Sequence, residues 1–247
     1  MVNDHITINL SQTNCYLLEA DEGYLLIDTG YEKDYDTFLK ELDNRNIKLS
    51  QINHLLLTHH HDDHAGFVKE LLNQTDLKII AHKKAEELLK RGKNDHSRGG
   101  GIINRRVYYL FKFAKIFIPN LFGLTFPPVH IRDKDILVDG DDKEILKSIG
   151  IDGKILYTPG HTVDSISVLM DNGDMFCGDA AMNQLLWLGT RYHTIFITDL
   201  NEYYRSWKKI MKHGAKKLYP SHGEPFKINR LEENLGEYDS ESLIEFF

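Results

Sequence analysis

The segment Thr58-His59-His60-His61-Asp62-Asp63-His64-Ala65-Gly66 places four histidines and two aspartates in six consecutive positions. Imidazole nitrogen and carboxylate oxygen are donors that zinc accepts, and a catalytic zinc keeps one position open for water. Six donors exceed the protein shell of a single ion. The run before them, residues 52–58, is apolar and reads as a buried strand, along which successive side chains point to opposite faces. At its carboxyl end His59 and His61 share one side and can share one ion, while His60 points away. Asp63 and His64 follow where the chain must leave the strand and begin a helix near Ala65-Gly66, so they can serve a second ion beside the first. On this reading His60 and Asp62 are not primary ligands.

Three further donors lie downstream, each closing an apolar run: His161 in Thr158-Pro159-Gly160-His161-Thr162, Asp179 in Phe176-Cys177-Gly178-Asp179-Ala180, and His222 in Pro220-Ser221-His222-Gly223. Catalytic groups gather at strand ends because a rigid scaffold there supports loops open to solvent. A lone histidine is more often a packed or surface residue than a ligand. Four such strand-end motifs in one chain are hard to ascribe to chance.

The elements needed to position these donors are legible around them. Residues 6–10, 14–20 and 23–30 alternate short β-like runs with turn signals and read as a β-meander. Phe38, Leu39 and Leu42 lie at helical spacing between Asp34 and Arg45. Residues 65–74 read as a helix, 78–82 as a strand, and 83–92 as a helix closing at Gly92. The pattern turns β-rich again from 129. Asp171-Asn172-Gly173-Asp174 predicts a hairpin between 166–170 and 174–178, followed by a helix over 201–213 and a strand over 216–221. Alternating β and α segments with meanders around them predict a layered α/β architecture.

Residues 93–128 differ in character. A polar, Gly-rich start (Ser97, Arg98, Gly99 to Gly101) leads into dense aromatics: Tyr108, Tyr109, Phe111, Phe113, Phe117, Phe122 and Phe126. The first reading is an amphipathic helix covering the core. The second is an apolar lid or wall over a substrate pocket, with Phe117 and Phe122 as pocket candidates. A membrane-surface helix ranks third because the basic residues are few.

Composition is that of an ordinary globular chain, 41% hydrophobic and 27% charged over 247 residues, long enough to bury a sizeable core. Its net charge of −7, with signs interspersed, disfavours a general nucleic-acid binder. No repeat or low-complexity tract is present. The two cysteines, Cys15 and Cys177, sit far apart inside apolar runs and read as reduced, buried thiols. No run of ~18 uncharged apolar residues predicts a spanning helix. The start shows no secretory pattern, so the expected location is cytoplasmic.

The motif T-H-x-H-x-D-H-x-G, followed in order by P-G-H-T, G-D and S-H-G, resembles the metallo-β-lactamase superfamily of binuclear metallohydrolases. Residues 25–30, Leu-Leu-Ile-Asp-Thr-Gly, match that family's first motif, and the resemblance covers about Asn14 to Pro225. It implies an α/β fold, a four-layer αβ/βα sandwich with the metals at one edge of two sheets. It also implies one hydrolase domain over 1–247, with the 93–128 segment as a helical, aromatic-rich insertion where members often build lids. The ligand sets it implies are His59, His61 and His161 for one ion, and Asp63, His64 and His222 for the other. Asp179 would bridge both, with Asp28 behind the ligands. The expected cofactor is two zinc ions per chain, with iron or manganese compatible with the same donors. Two such ions share a water and bring its pKa toward neutrality, which makes it a nucleophile. By analogy, Asp63 can also accept a hydrogen bond from it; Asp63 as a ligand only is the competing reading.

Fold alone does not settle the substrate. True β-lactamases generally lack the bridging carboxylate. Glyoxalase II enzymes match the ligands but carry a helical domain after the last histidine, where only 25 residues follow His222. Acyl-homoserine lactonases match best in size but use a tyrosine three positions past the bridging aspartate, where this chain has Met182. Tyr192 or His193 could reach the pocket instead, against the alternative that they pack or lie on the surface. The expected activity is hydrolysis of an ester, lactone, thioester or phosphoester of a small, moderately hydrophobic molecule. A glyoxalase II-like thioesterase or a phosphodiesterase is the alternative enzyme, and a non-catalytic metal-binding module is the alternative class. An all-helical HD-type phosphohydrolase fits the β-rich surroundings poorly, and a zincin lacks its glutamate between His60 and His64. No nucleic-acid partner is expected, and a homodimer is compatible with the sequence.

Overall fold

A computed structural model describes residues 5–95, 99–117 and 124–246. The chain opens with an antiparallel meander, β1 (His5–Asn9), β2 (Asn14–Glu19) and β3 (Tyr24–Ile27). α1 (Tyr35–Asp43) crosses to β4 (Ile52–Leu56), which lies parallel to β3. A short α2 (Asp62–Ala65) and α3 (Val68–Gln74) lead to β5 (Lys78–His82), parallel to β4. Then come α4 (Glu86–Arg91), β6 (Gly101–Ile102), α5 (Arg105–Phe117) and β7 (Ile136–Val138), which completes a six-stranded sheet beside β5.

The second half builds a five-stranded sheet. β8 (Gly153–Tyr157), β9 (Ile166–Met170) and β10 (Asp174–Gly178) are antiparallel neighbours. β11 (Phe196–Ile197) pairs with β6 outside either main sheet. α6 (Leu200–Lys212) then returns the chain to β12 (Lys217–Pro220), parallel to β10, and β13 (Phe226–Lys227) closes that edge before α7 (Asn229–Glu233).

Strand alternation explains the layers. Leu17, Leu26, Leu55 and Ile79 face outward onto Phe38, Leu42, Val68 and Leu71 of α1 and α3. Their neighbours Leu18, Leu25, Ile27, Leu56 and Ile80 face inward and meet Ile155, Ile166, Val168 and Phe176 of the second sheet. From that sheet Leu156, Leu169, Met175 and Cys177 turn outward onto Tyr203, Trp207 and Ile210 of α6. Strands buried on both faces read as continuous apolar runs rather than alternating ones, as Leu-Leu-Ile and Leu-Leu-Leu do here. The result is an αβ/βα sandwich of four layers, and both cysteines are free and buried within it.

The predicted elements from 34 to 92 and from 166 to 221 appear with small boundary shifts. Between 129 and 139 only Ile136–Val138 forms a strand, a shorter stretch than the residue pattern suggests. The 93–128 segment departs more. α5 does not lay its aromatic side onto the core: Val107 is its buried residue, with Tyr108 and Phe111 packed beside it. Tyr109, Phe113 and Phe117 instead face solvent. The aromatics are spread around the helix, so one arc suffices to anchor it and the opposite arc stays apolar and exposed. Among the described residues, no helix is long and apolar enough to cross a membrane.

Candidate metal centre

Five strands end at one edge of the sandwich, and each delivers part of the site. β3 is followed by Asp28, β4 by residues 58–64, β8 by His161, β10 by Asp179 and β12 by His222. Hydrogen bonds to backbone carbonyls hold the two sheets together there. Ile166 N–H donates to Thr58 O at 2.8 Å, Asn14 N–H to Ser221 O at 2.8 Å, and the Tyr16 hydroxyl to Pro220 O at 2.6 Å. Gly178, just before Asp179, has φ +52°, and a Cβ there would stand 2.5 Å from Thr58 Oγ1. Only glycine fits that close approach, which gives the G-D pair a local physical cause.

Three groups of donors converge: His59, His61 and His161; His59, His64 and Asp179; and Asp63, His64 and His222. His161 Nε2 lies 3.2 Å from His59 Nε2 and 3.1 Å from His61 Nδ1. His222 Nε2 lies 3.2 Å from Asp63 Oδ2, and His64 Nε2 lies 3.6 Å from Asp63 Oδ1. Asp179 stands between the two groups. Its Oδ2 is 3.6 Å from His161 Nε2, and its Oδ1 is 3.6 Å from His64 Nε2 and 3.4 Å from His222 Nε2.

The hydrogen bonds behind the rings decide what these atoms present to one another. His161 Nδ1 is 2.8 Å from Phe196 O and His222 Nδ1 is 3.0 Å from Gln12 O; a carbonyl only accepts, so each Nδ1 carries the proton. Thr58 Oγ1 donates to Asp28 Oδ2 at 2.7 Å and can then accept from His59 Nδ1 at 3.2 Å. His64 Nδ1 donates to Asp28 Oδ2 at 2.8 Å. In the neutral rings, Nε2 of His59, His64, His161 and His222 is thus a lone pair directed inward. Lone pairs about 3.2 Å apart repel unless a cation sits among them. A tetrahedral zinc with Zn–N of 2.0–2.1 Å has ligand edges of about 3.3 Å. Buried His64 Nε2 and Asp179 Oδ1 also lack hydrogen-bond partners, which suits metal donors. The donor set fits a metal.

Titration follows the same division. Burial, reinforced by neighbouring imidazoles, holds His59 well below the ordinary histidine value, and burial also lowers His161. Burial would lower His64 too, but Asp63, Asp28 and Asp179 outweigh it and raise it to about 10. In His222 burial is outweighed by Asp179 and Asp63, which raise it to about 9. Asp63 is held well below the carboxylate range, because His64 and His222 outweigh its burial. Protons thus take the place of positive charge in the second group, while His59 and His161 stay neutral.

Asp28, behind the donors, accepts four hydrogen bonds: from Thr58 N–H, Thr58 Oγ1, His64 Nδ1 and Ser221 Oγ. Its backbone is left-handed, φ 58°, a region that aspartate enters more readily than most residues. His60 points away from the cluster. Its Nδ1 donates to Asp164 Oδ1 at 2.9 Å, and its Nε2 accepts from Asp95 N–H at 3.2 Å. Asp62 pairs with Asn94 through Asn94 Nδ2 and its own N–H.

The pocket candidates are not brought to this cluster. His193 is fully buried; its ring packs on Trp207 and bonds Tyr204 Oη and the carbonyls of Thr190 and Arg191. Tyr192 stacks near Phe226 at 4.7 Å. Phe117 points to solvent from the end of α5, and Phe122 lies outside the described residues. A cavity of about 520 Å³ lies between the 196–200 segment and the tail at Leu243 and Phe246, and no donor of the cluster lines it. Sequence reasoning missed Thr58, Ser221, Asp164 and Thr194, whose hydroxyl donates to Asp179 Oδ2 at 3.3 Å. Thr58 and Ser221 bond Asp28, Asp164 bonds His60 and Thr194 bonds Asp179, each a partner distant in sequence, and spacing along one chain carries no signal of that. Tyr31 was also missed; its hydroxyl is raised above the ordinary value by burial and by Asp63, Asp62 and Asp179.

Residues 8–222 match the metallo-beta-lactamase superfamily. The chain belongs to that family. Relatives include the Drosophila melanogaster beta-lactamase-like protein 2 homolog, 27% identical over 94% of this chain and 64% of its own length. Another is a hydroxyacylglutathione hydrolase of Francisella philomiragia, 26% identical over 87% of this chain and 65% of its own. The chain thus spans under two thirds of the length of these curated relatives. An archaeal superfamily protein from Sulfolobus tokodaii shares the fold, with a TM-score of 0.64 and 21% identity over 96% of this chain and 86% of its own. This is a superfamily of metallo-hydrolases, and the His/Asp cluster lies at the sheet edge where its resemblance placed metal donors.

Proposed function

We propose that the chain is a dinuclear, zinc-dependent hydrolase that cleaves an activated acyl bond, a thioester, ester or lactone. The observation that carries this reading is Asp179, whose two oxygens face different donor groups: Oδ2 toward His161, Oδ1 toward His64 and His222. One ion would be held by His59, His61 and His161, the other by Asp63, His64 and His222, with Asp179 across both. Two ions so held supply an ionised water and polarise the scissile carbonyl. The chain's own residues do the rest. Thr58 and Asp28 fix the His59 and His64 tautomers, so their Nε2 lone pairs stay aimed at the centre. Asp63, held ionised by His64 and His222, would accept a hydrogen bond from the attacking water.

Thioesters are favoured within the class because relatives include a hydroxyacylglutathione hydrolase and a fungal acyl-carrier-protein thioesterase. The phosphodiesterase reading lacks a comparable support. Met182, at the position where lactonases carry tyrosine, is buried, so a lactonase activity would need another donor. The test is the metal-loaded protein assayed against thioester, acyl-lactone and phosphodiester panels, with metal content measured in parallel. Metal-dependent thioester turnover supports the reading. Two tightly bound ions with no hydrolysis of any panel member would favour a metal-binding module instead.

A further inference from the structure

All seven exposed large hydrophobic side chains among the described residues fall in two segments: Tyr109, Leu110, Phe113, Ile116 and Phe117 on α5, and Leu186 and Trp187 in the 186–188 turn. Isolated exposed apolar residues are normal on a protein surface, but a concentrated patch marks an interaction site. Ile116 and Phe117 are each 69% exposed, Tyr109 64%, Phe113 61% and Trp187 73%. Asn104, at the foot of α5, donates to the carbonyls of Leu188 and Gly189, so the two segments are tied together.

The charge on this helix runs against that of the chain. The protein carries −7, yet α5 holds Arg105, Arg106, Lys112 and Lys115 and no acidic residue. At helical spacing the outward arc carries Ile116, Tyr109, Phe113, Phe117 and Leu110. Arg105 and Lys112 border it, and Arg106 lies within it near the amino end. The inner arc is held by Val107 in the core and by Tyr108, whose ring meets Phe246 edge-to-face at 5.6 Å. The helix is therefore anchored on one side and bare on the other.

We propose that α5 and Trp187 form a docking surface for an anionic lipid bilayer, with the apolar arc in the interface and the basic side chains on the headgroups. An aromatic arc flanked by lysine and arginine is the composition that binds in the plane of such an interface. Self-association fits less well: a two-fold pair on the outer arc would set Arg105, Arg106 and Lys112 against the same three cations of its copy, while Lys115 turns inward over Phe246. Attachment is peripheral, since no described helix can span a membrane. The loop bearing Trp187 starts just after Asp179 and is tied to the candidate metal centre by Asn183 N–H donating to His222 O at 2.9 Å. One loop thus touches both the docking patch and the site. The proposal does not depend on the hydrolase reading.

Vesicles of phosphatidylcholine, with and without phosphatidylglycerol, provide the test on the full chain. The protein should co-sediment with the anionic vesicles, less so as salt rises. Of its two tryptophans Trp207 is fully buried, so a blue shift on binding reports Trp187. Arg106→Gln should weaken partitioning roughly fivefold, and Phe113→Ser combined with Phe117→Ser roughly tenfold or more. Metal content and far-UV circular dichroism of the double variant should match the parent, because both rings are solvent-exposed. Absence of vesicle binding, equal binding to neutral and anionic vesicles, or full binding by the double variant would each overturn the proposal. So would concentration-dependent dimerisation that the double variant abolishes while the parent ignores vesicles.

Discussion

Asp28 Oδ2 accepts the Nδ1 proton of His64 at 2.8 Å and the Thr58 hydroxyl at 2.7 Å, so one carboxylate orients two imidazoles. The second is His59, reached through Thr58 Oγ1. In Asp28→Asn an amide nitrogen would meet donors in place of an acceptor, or the side chain would turn and leave Thr58 N–H unpaired. Loss of such a partner typically costs 10–100-fold in metal affinity. Titration calorimetry with zinc should show a drop of about that size, and unchanged affinity would remove Asp28 from the ligand-orienting role.

The four clustered histidines divide by the direction in which they point, and substitution should expose the division. His59→Ala and Asp63→Ala should each lose metal and activity. His60→Ala should keep its metals but lose stability, because Asp164 would remain buried without the Nδ1–H donor. Removing one partner of a buried hydrogen bond typically costs about 1–3 kcal/mol, and more where the group left behind is charged. His60→Asn, which keeps a short donor toward Asp164, should lose less. Elemental analysis alongside thermal unfolding separates the cases; an emptied site in His60→Ala would mean the register is misread.

The alternation that separates His60 from His59 and His61 was legible from the strand before them, as were the four strand-end motifs and the layered fold. Side chains two apart share a face along extended backbone, and His59 and His61 converge on His161 even though β4 itself ends at Leu56. The course of α5 was not legible: its aromatics occupy both arcs, so the pattern does not say which arc packs on the core. The sequence contains no cue that nothing covers the outer arc. His193 illustrates the same limit, since its neighbours Trp207 and Tyr204 come from α6 and only the assembled core reveals them.

Metal binding should depend on pH unequally in the two groups. Imidazole must be neutral to coordinate. Without metal, His64 at about 10 and His222 at about 9 are protonated at pH 7, whereas burial keeps His59 and His161 low. An ion entering the Asp63, His64 and His222 group must therefore release up to two protons. Its apparent affinity should fall by up to about a hundredfold per pH unit below pH 9. Chelator competition across pH should empty that group first and leave one ion per chain at mildly acidic pH. Simultaneous loss of both ions would contradict the assignment.

Acid should also loosen the fold at a histidine that is not a metal donor. Burial lowers His193 from its ordinary 6.5 to about 4. Below pH 6.5 the unfolded ring takes up a proton that the folded ring refuses, so the unfolded state binds more protons and stability rises with pH in that window. This contribution is fully present above pH 6.5 and is lost as pH falls toward 4, by about 3 kcal/mol at most. His193→Gln no longer titrates. It should be less stable than the parent at neutral pH, through its altered contacts with Tyr204 and Trp207, yet lose less between pH 6.5 and 4. Denaturant midpoints for both proteins at those two pH values provide the measurement, and parallel losses would place the acid sensitivity elsewhere.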